Sequence, residues 1–318
     1  MSDLTPFKYG KRKIGSRNNW EDLQNPYVIE NKPVIFIFGG NLTISTQEAN
    51  GYAKLIGSSF KQFTASIADI ISVSYEGEIA EQKGSTIELS SRAKTNASDF
   101  FNSTIYESLK DAKNEEKIRS ILKKIIFVGH SAGTNVIDLI TKQIENYLLY
   151  RFNEDQTKVN SVMGDIQCFC YAPGTAIKQN VTAFYVSPFY DKEGKWKKLL
   201  FETKGEIRTQ YPEGFDENFD PLRPISYTKN ALEKNKFVAI RRGLSLILIT
   251  DKLSDKNDHS IACLKNSNTK YSTYVSGLCE SVLNSFLLNS LHDTNYSFHD
   301  VFNSIKHYVR RTEESNNN

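Results

Sequence analysis

Four consecutive apolar residues, Ile125-Ile126-Phe127-Val128, run directly into Gly129-His130-Ser131-Ala132-Gly133, and a helical pattern then continues to about Tyr150. A short unbroken apolar run bounded by glycines reads as a strand buried on both faces, as in a parallel sheet covered by helices. The chain must pass from that strand into a helix within a few residues. Glycines at 129 and 133 fit such a tight turn, where a side chain would collide with the neighbouring strand or helix. A serine at the apex gains two things from this geometry. Its hydroxyl is lifted out of the sheet, where a base can reach it. The N–H of the next residue, Ala132, stands at a helix N-terminus, where it can face the oxygen of a substrate carbonyl. Ser131 is therefore the candidate nucleophile and Ala132 a candidate oxyanion donor.

The same alternation recurs along the chain. Further strands are expected at Pro33–Phe38 (ending in Gly39-Gly40), Ile70–Tyr75, Ile166–Tyr171, Val181–Val186 and Leu244–Thr250. Helices are expected at about Thr46–Phe63, as one long helix between Asp99 and Lys124, at Ala132–Tyr150, at Tyr274–Leu291 and at Ser297–Arg311. Residues 77–97 are polar and read as loop, and residues 1–32 as an extension with short edge strands. This order predicts an α/β fold, a mostly parallel sheet with helices on both faces, over a single domain spanning 1–318. With 39% hydrophobic and 12% aromatic residues, the chain can build one large core. Residues 192–236 break the pattern. They hold Trp196, Phe201, Tyr211, Phe215 and Phe219 among many charges and no clean strand–helix unit. An irregular insertion of that length reads as a cap over a site.

Composition excludes several functions. A net charge of +3 without a long basic run argues against a nucleic-acid partner. The four cysteines form no paired C-x-x-C, and no His/Asp/Glu cluster has metal-ligand spacing, so no metal is expected. Cys168 and Cys170 alternate on one strand face and read as buried free thiols. The G-x-S-x-G differs from a dinucleotide fingerprint and from a P-loop, so no nucleotide cofactor is expected. Met1 to Lys13 lacks an apolar core, and no apolar run approaches the roughly 18 residues that span a bilayer. The expectation is a soluble chain, cytoplasmic where it is made, with export by a route that leaves it uncleaved still open.

The run Ile125 to Gly133 resembles the nucleophile-elbow region of the α/β-hydrolase superfamily, and Cys168-Phe169-Cys170-Tyr171-Ala172-Pro173-Gly174 resembles the strand after the nucleophile helix in lipases. The resemblance covers about Pro33 to His259 and implies a chain order of serine, acid, histidine. His259, in the polar loop after Leu244–Thr250, stands where the family carries its base; His130 is next to the serine and cannot serve it. The first carboxylate after Thr182–Val186 is Asp191, the favoured acid, with Asp251 as the rival and Asp255 or Asp258 behind it. The resemblance also implies a second oxyanion donor in the loop after an early strand, at Gly40 or Asn41. The spacing of Ser131, Asp191 and His259 is similar to that of class-three lipases, although the proline usual behind the acid is missing.

What the resemblance implies is a serine hydrolase of carboxylic esters, lipid or acyl esters first, working through an acyl-enzyme without a cofactor. A lipid ester substrate would bring peripheral membrane contact with no integral segment. An acyltransferase or thioesterase could use the same triad. In another class, a catalytically silent hydrolase fold could serve as a binding module, though the intact Gly-His-Ser-Ala-Gly argues against silence.

Overall fold

The structure, a computed structural model, describes residues 7–12, 20–23, 27–40, 67–75, 80–83, 86–188, 237–242, 244–250 and 270–291. Its strands are β1 (Phe7–Arg12), β2 (Trp20–Leu23), β3 (Val34–Phe38), β4 (Asp69–Tyr75), β5 (Ala80–Lys83), β6 (Thr86–Leu89), β7 (Ile125–His130), β8 (Gln167–Tyr171), β9 (Thr182–Pro188), β10 (Phe237–Arg242) and β11 (Ser245–Thr250). Its helices are α1 (Ser91–Phe100), α2 (Glu115–Leu122), α3 (Gly133–Arg151), α4 (Gln156–Met163) and α5 (Lys270–Leu291).

Among the described residues the main sheet runs β10-β11-β9-β8-β7-β3-β4-β1-β2. Its six central strands, β11, β9, β8, β7, β3 and β4, are all parallel. β10 at one edge and the β1–β2 pair at the other are antiparallel. The expected α/β architecture is thus present, with the N-terminal edge strands. The reason lies in the apolar runs: β3, β7 and β8 are buried at every residue. Strands buried on both faces need covering layers on both faces.

Alternate residues serve the two layers. One face presents Phe36, Phe38, Phe127, Cys168 and Cys170 to a core built with α1, α3 and α4. There the Phe100 ring of α1 meets Phe36 and Phe38 edge-on, at 5.1 and 5.3 Å between centroids. The other face carries Ile35, Ile37, Val128, Phe169 and Phe184. On that side Gln167 donates to the Phe286 carbonyl at 3.1 Å and to Ser290 Oγ at 2.8 Å, which fixes α5 against the sheet.

Two expectations need correction. Residues 77–97 are not all loop, because β5 and β6 pair as an antiparallel hairpin and α1 begins at Ser91. Its start is a side-chain cap, Ser90 Oγ accepting from the Ala93 N–H at 3.1 Å. Nor does a single long helix lie between Asp99 and Lys124. α1 continues through a π-helical stretch, Phe101–Tyr106, and a last turn, Glu107–Leu109. A new helix, α2, then starts behind its own cap, where Asn114 Oδ1 accepts from the Lys117 N–H at 2.9 Å. α4 and β10 were not foreseen. The helices expected at 46–63 and 297–311, and the 192–236 insertion, lie outside the described residues. No described helix is long and apolar enough to cross a membrane.

Candidate active site

β7 delivers the chain to the C-terminal edge of the sheet between β3 and β8. There it turns through Ser131, whose φ is 51°, a left-handed backbone that L side chains rarely adopt. Ala132 is already right-handed, and α3 begins at Gly133. The glycine is required by contact: a Cβ at 133 would stand 2.5 Å from the Phe38 carbonyl oxygen, and closer still to that of Gly39. The helix start is thereby pressed onto the end of β3.

Three hydrogen bonds converge on the Ser131 carbonyl. The Thr134 N–H donates at 3.1 Å, the Gly174 N–H at 2.9 Å and the Thr134 hydroxyl at 2.7 Å. The Ser131 N–H donates to the Tyr171 carbonyl of β8 at 3.2 Å. The backbone of the turn is thus tied on both sides while Ser131 itself is only half-buried.

The loop after β3 reaches the same point. Phe38 pairs with Gly129, so Gly40 comes level with Ser131. A Cβ built on Gly40 would lie 3.3 Å from Ser131 Cβ and 3.1 Å from His130 Nδ1. The structure therefore brings together Ser131, Ala132 and Gly40. The Ala132 N–H stands at the N-cap of a 19-residue helix, where N–H groups lack intrahelical acceptors and the helix end carries partial positive charge. A developing negative oxygen beside Ser131 would meet that charge.

His130 ends β7 at 5% exposure, its ring stacked on Tyr171 at 6.1 Å. The thiols of the adjacent strand are poor candidates for a nucleophile. Burial pushes Cys168 and Cys170 on β8 far above the ordinary thiol range, so both stay protonated at neutral pH. Among the described residues no group of His, Cys, Asp and Glu is placed to hold a metal ion.

Asn41, Asp191, Asp251 and His259 lie outside the described residues. In the sequence, Asp191 follows the last residue of β9 by three positions, and Asp251 directly follows the last residue of β11. Both strands run parallel to β7, so they end on the edge of the sheet where Ser131 turns. Sequence reading missed Thr134. A threonine one residue past the motif carries no signal by itself, and its partners, Gly174 and Thr175, are 40 and 41 residues away. No family model matches the chain, and no curated protein matches it.

Proposed function

We propose that this chain is a serine carboxylic-ester hydrolase of the α/β-hydrolase type, with Ser131 as nucleophile. The observation that carries the reading is the turn at Ser131, where a half-buried serine with a left-handed φ of 51° joins a buried strand to a helix N-terminus. A strained, non-glycine residue between a buried strand and a helix, held from several directions, points to a side chain required at that spot.

In this reading Ser131 Oγ attacks the acyl carbonyl as His259 takes its proton. Asp191 orients the imidazole and stabilises the imidazolium that forms. The carbonyl oxygen becomes an oxyanion facing the Ala132 N–H and a second N–H at Gly40 or Asn41. Collapse expels the alcohol, protonated by His259, and leaves an acyl-enzyme. Water, activated by the same histidine, then releases the acid. Asp191 is preferred over Asp251 because β9 is two strands from β7 and β11 is three. In the sequence the acid then follows β9, which lies between β7 and β11, and β11 is the strand that precedes His259. Lipid or long-chain esters are the favoured substrates, with residues 192–236 as their apolar cover; this choice rests on the aromatics of that segment.

A fluorophosphonate probe applied to the whole protein tests the proposal. The expected result is one adduct, on Ser131, that disappears in Ser131→Ala together with ester hydrolysis. His259→Ala should lower the hydrolysis rate by roughly three to four powers of ten, the scale of losing a triad member. A folded wild-type chain that takes up no probe and cleaves no ester overturns the proposal in favour of a silent binding fold.

A further inference from the structure

The turn at Ser131 is not held by its own helix alone. The Thr134 side chain is fully buried, at 0% exposure, and its hydroxyl is saturated. Its one hydrogen goes to the Ser131 carbonyl at 2.7 Å, and its oxygen accepts from the Gly174 N–H at 2.9 Å and the Thr175 N–H at 3.2 Å. The first of these bonds is ordinary for a threonine in a helix, which often bonds back to the preceding turn. The other two are not local. They reach the segment after β8, which also leaves its strand through a left-handed residue, Ala172 with φ 41°. His130 pairs with Tyr171, so the two strained residues, Ser131 and Ala172, stand side by side at one level. The Gly174 N–H is shared between the Ser131 carbonyl and the Thr134 hydroxyl, which closes the ring.

We propose that Thr134 is a positioning residue for the Ser131 nucleophile: its buried hydroxyl locks the β7 turn to the β8 turn and so sets where Ser131 Oγ stands. The proposal rests on the hydrolase reading above. Its physical basis is that left-handed non-glycine residues persist only where the surroundings over-determine them. Removing the hydroxyl takes one of three donors from the Ser131 carbonyl and an acceptor from two amides of the neighbouring turn. Displacement of a reacting atom by well under 1 Å lowers the rate without changing what binds the rest of the substrate.

Thr134→Val keeps the branched shape and loses the hydroxyl, and Thr134→Ser keeps the hydroxyl. With a short soluble ester, kcat of Thr134→Val should fall roughly 10- to 100-fold while KM stays within about twofold, and Thr134→Ser should recover most of the rate. Hydrogen exchange at Gly174 and Thr175 should quicken in Thr134→Val and remain slow in Thr134→Ser. Should Thr134→Val fail to fold, Thr134→Cys, with its weak donor and acceptor, takes its place and should fall between serine and wild type on one side and full loss on the other. Wild-type kcat and exchange in Thr134→Val overturn this proposal alone. A wild-type chain without Ser131-dependent labelling overturns the hydrolase reading and this proposal with it.

Discussion

β7 and β8 lie side by side, end at the same level, and leave the sheet through non-glycine residues in left-handed backbone, Ser131 at φ 51° and Ala172 at φ 41°. The two turns differ in exposure and in the segment each one opens. Ser131 is half-buried and leads into a 19-residue helix, whereas Ala172 is 1% exposed and runs into Pro173 and Gly174. A glycine would fit either turn without steric strain. At Ala172 the side chain is a methyl, and packing is its only contribution. At Ser131 the side chain is a hydroxyl that reaches the edge of the sheet beside a helix N-terminus. Left-handed backbone therefore does not by itself mark a reactive residue; partial exposure and the helix behind it separate the two turns.

The largest effect should come from the contact of the β7 turn with the end of β3. In Gly133→Ala the new methyl meets the carbonyl oxygens of Phe38 and Gly39, which are backbone and cannot swing aside. Overpacking of that kind should cost about 3 kcal/mol, read from the urea midpoint. Fluorophosphonate labelling should fall as well, because the helix start carries Ser131 with it. A Gly133→Ala protein of wild-type stability would mean that the helix is not pressed onto β3.

A smaller effect isolates the strain at Ser131. Ser131→Ala and Ser131→Gly both remove the hydroxyl, so their difference reports the backbone. A left-handed alanine costs about 1–2 kcal/mol, against about 0.5–1 kcal/mol of extra chain entropy lost by glycine. Ser131→Gly should therefore be the more stable of the two by about 0.5–1 kcal/mol. At a right-handed position the order is reversed. Equal midpoints, or a more stable alanine variant, would remove the strain from Ser131 and with it the contrast to an ordinary turn.

The parts of this fold that were legible in the sequence are those in which burial leaves a continuous trace. Val34–Phe38, Ile125–His130 and Gln167–Tyr171 are apolar enough to read directly, and Gly129 to Gly133 is contiguous, so the elbow could be read with its strand and helix. α1 escaped because its buried face is Ala93, Asn96, Ala97 and Phe100, three small or polar residues and one aromatic. Its clearest local sign was the cap at Ser90. The β5–β6 hairpin, Ala80–Lys83 with Thr86–Leu89, has a charged residue near each strand centre, Glu81 and Glu88, and only β6 alternates, through Ile87 and Leu89, over a run of four residues that is too short to read. The break between α1 and α2 was hidden because Asn114 caps a new helix in the middle of a helix-compatible composition. Thr134 could not be read at all. Its role exists only once β7 and β8 are adjacent, and chain order says nothing about which amide a buried hydroxyl will meet.

The smallest effect expected is also the most discriminating, at Ala172. Replacing a buried alanine by glycine removes a methyl, worth about 0.8 kcal/mol, and adds about 0.5–1 kcal/mol of entropy cost. In left-handed backbone both losses are offset by about 1–2 kcal/mol of relieved strain. Ala172→Gly should therefore be nearly neutral, within about 0.5 kcal/mol of wild type. Ala97, equally buried at 1% exposure but inside α1, supplies the control. There the methyl and the helix penalty add, and Ala97→Gly should cost about 2 kcal/mol. Urea midpoints of the two variants, measured side by side, give the comparison. If Ala172→Gly loses as much as Ala97→Gly, the β8 turn holds no strain. The likeness between the two turns is then one of backbone angle alone, and strain no longer links Ala172 to Ser131.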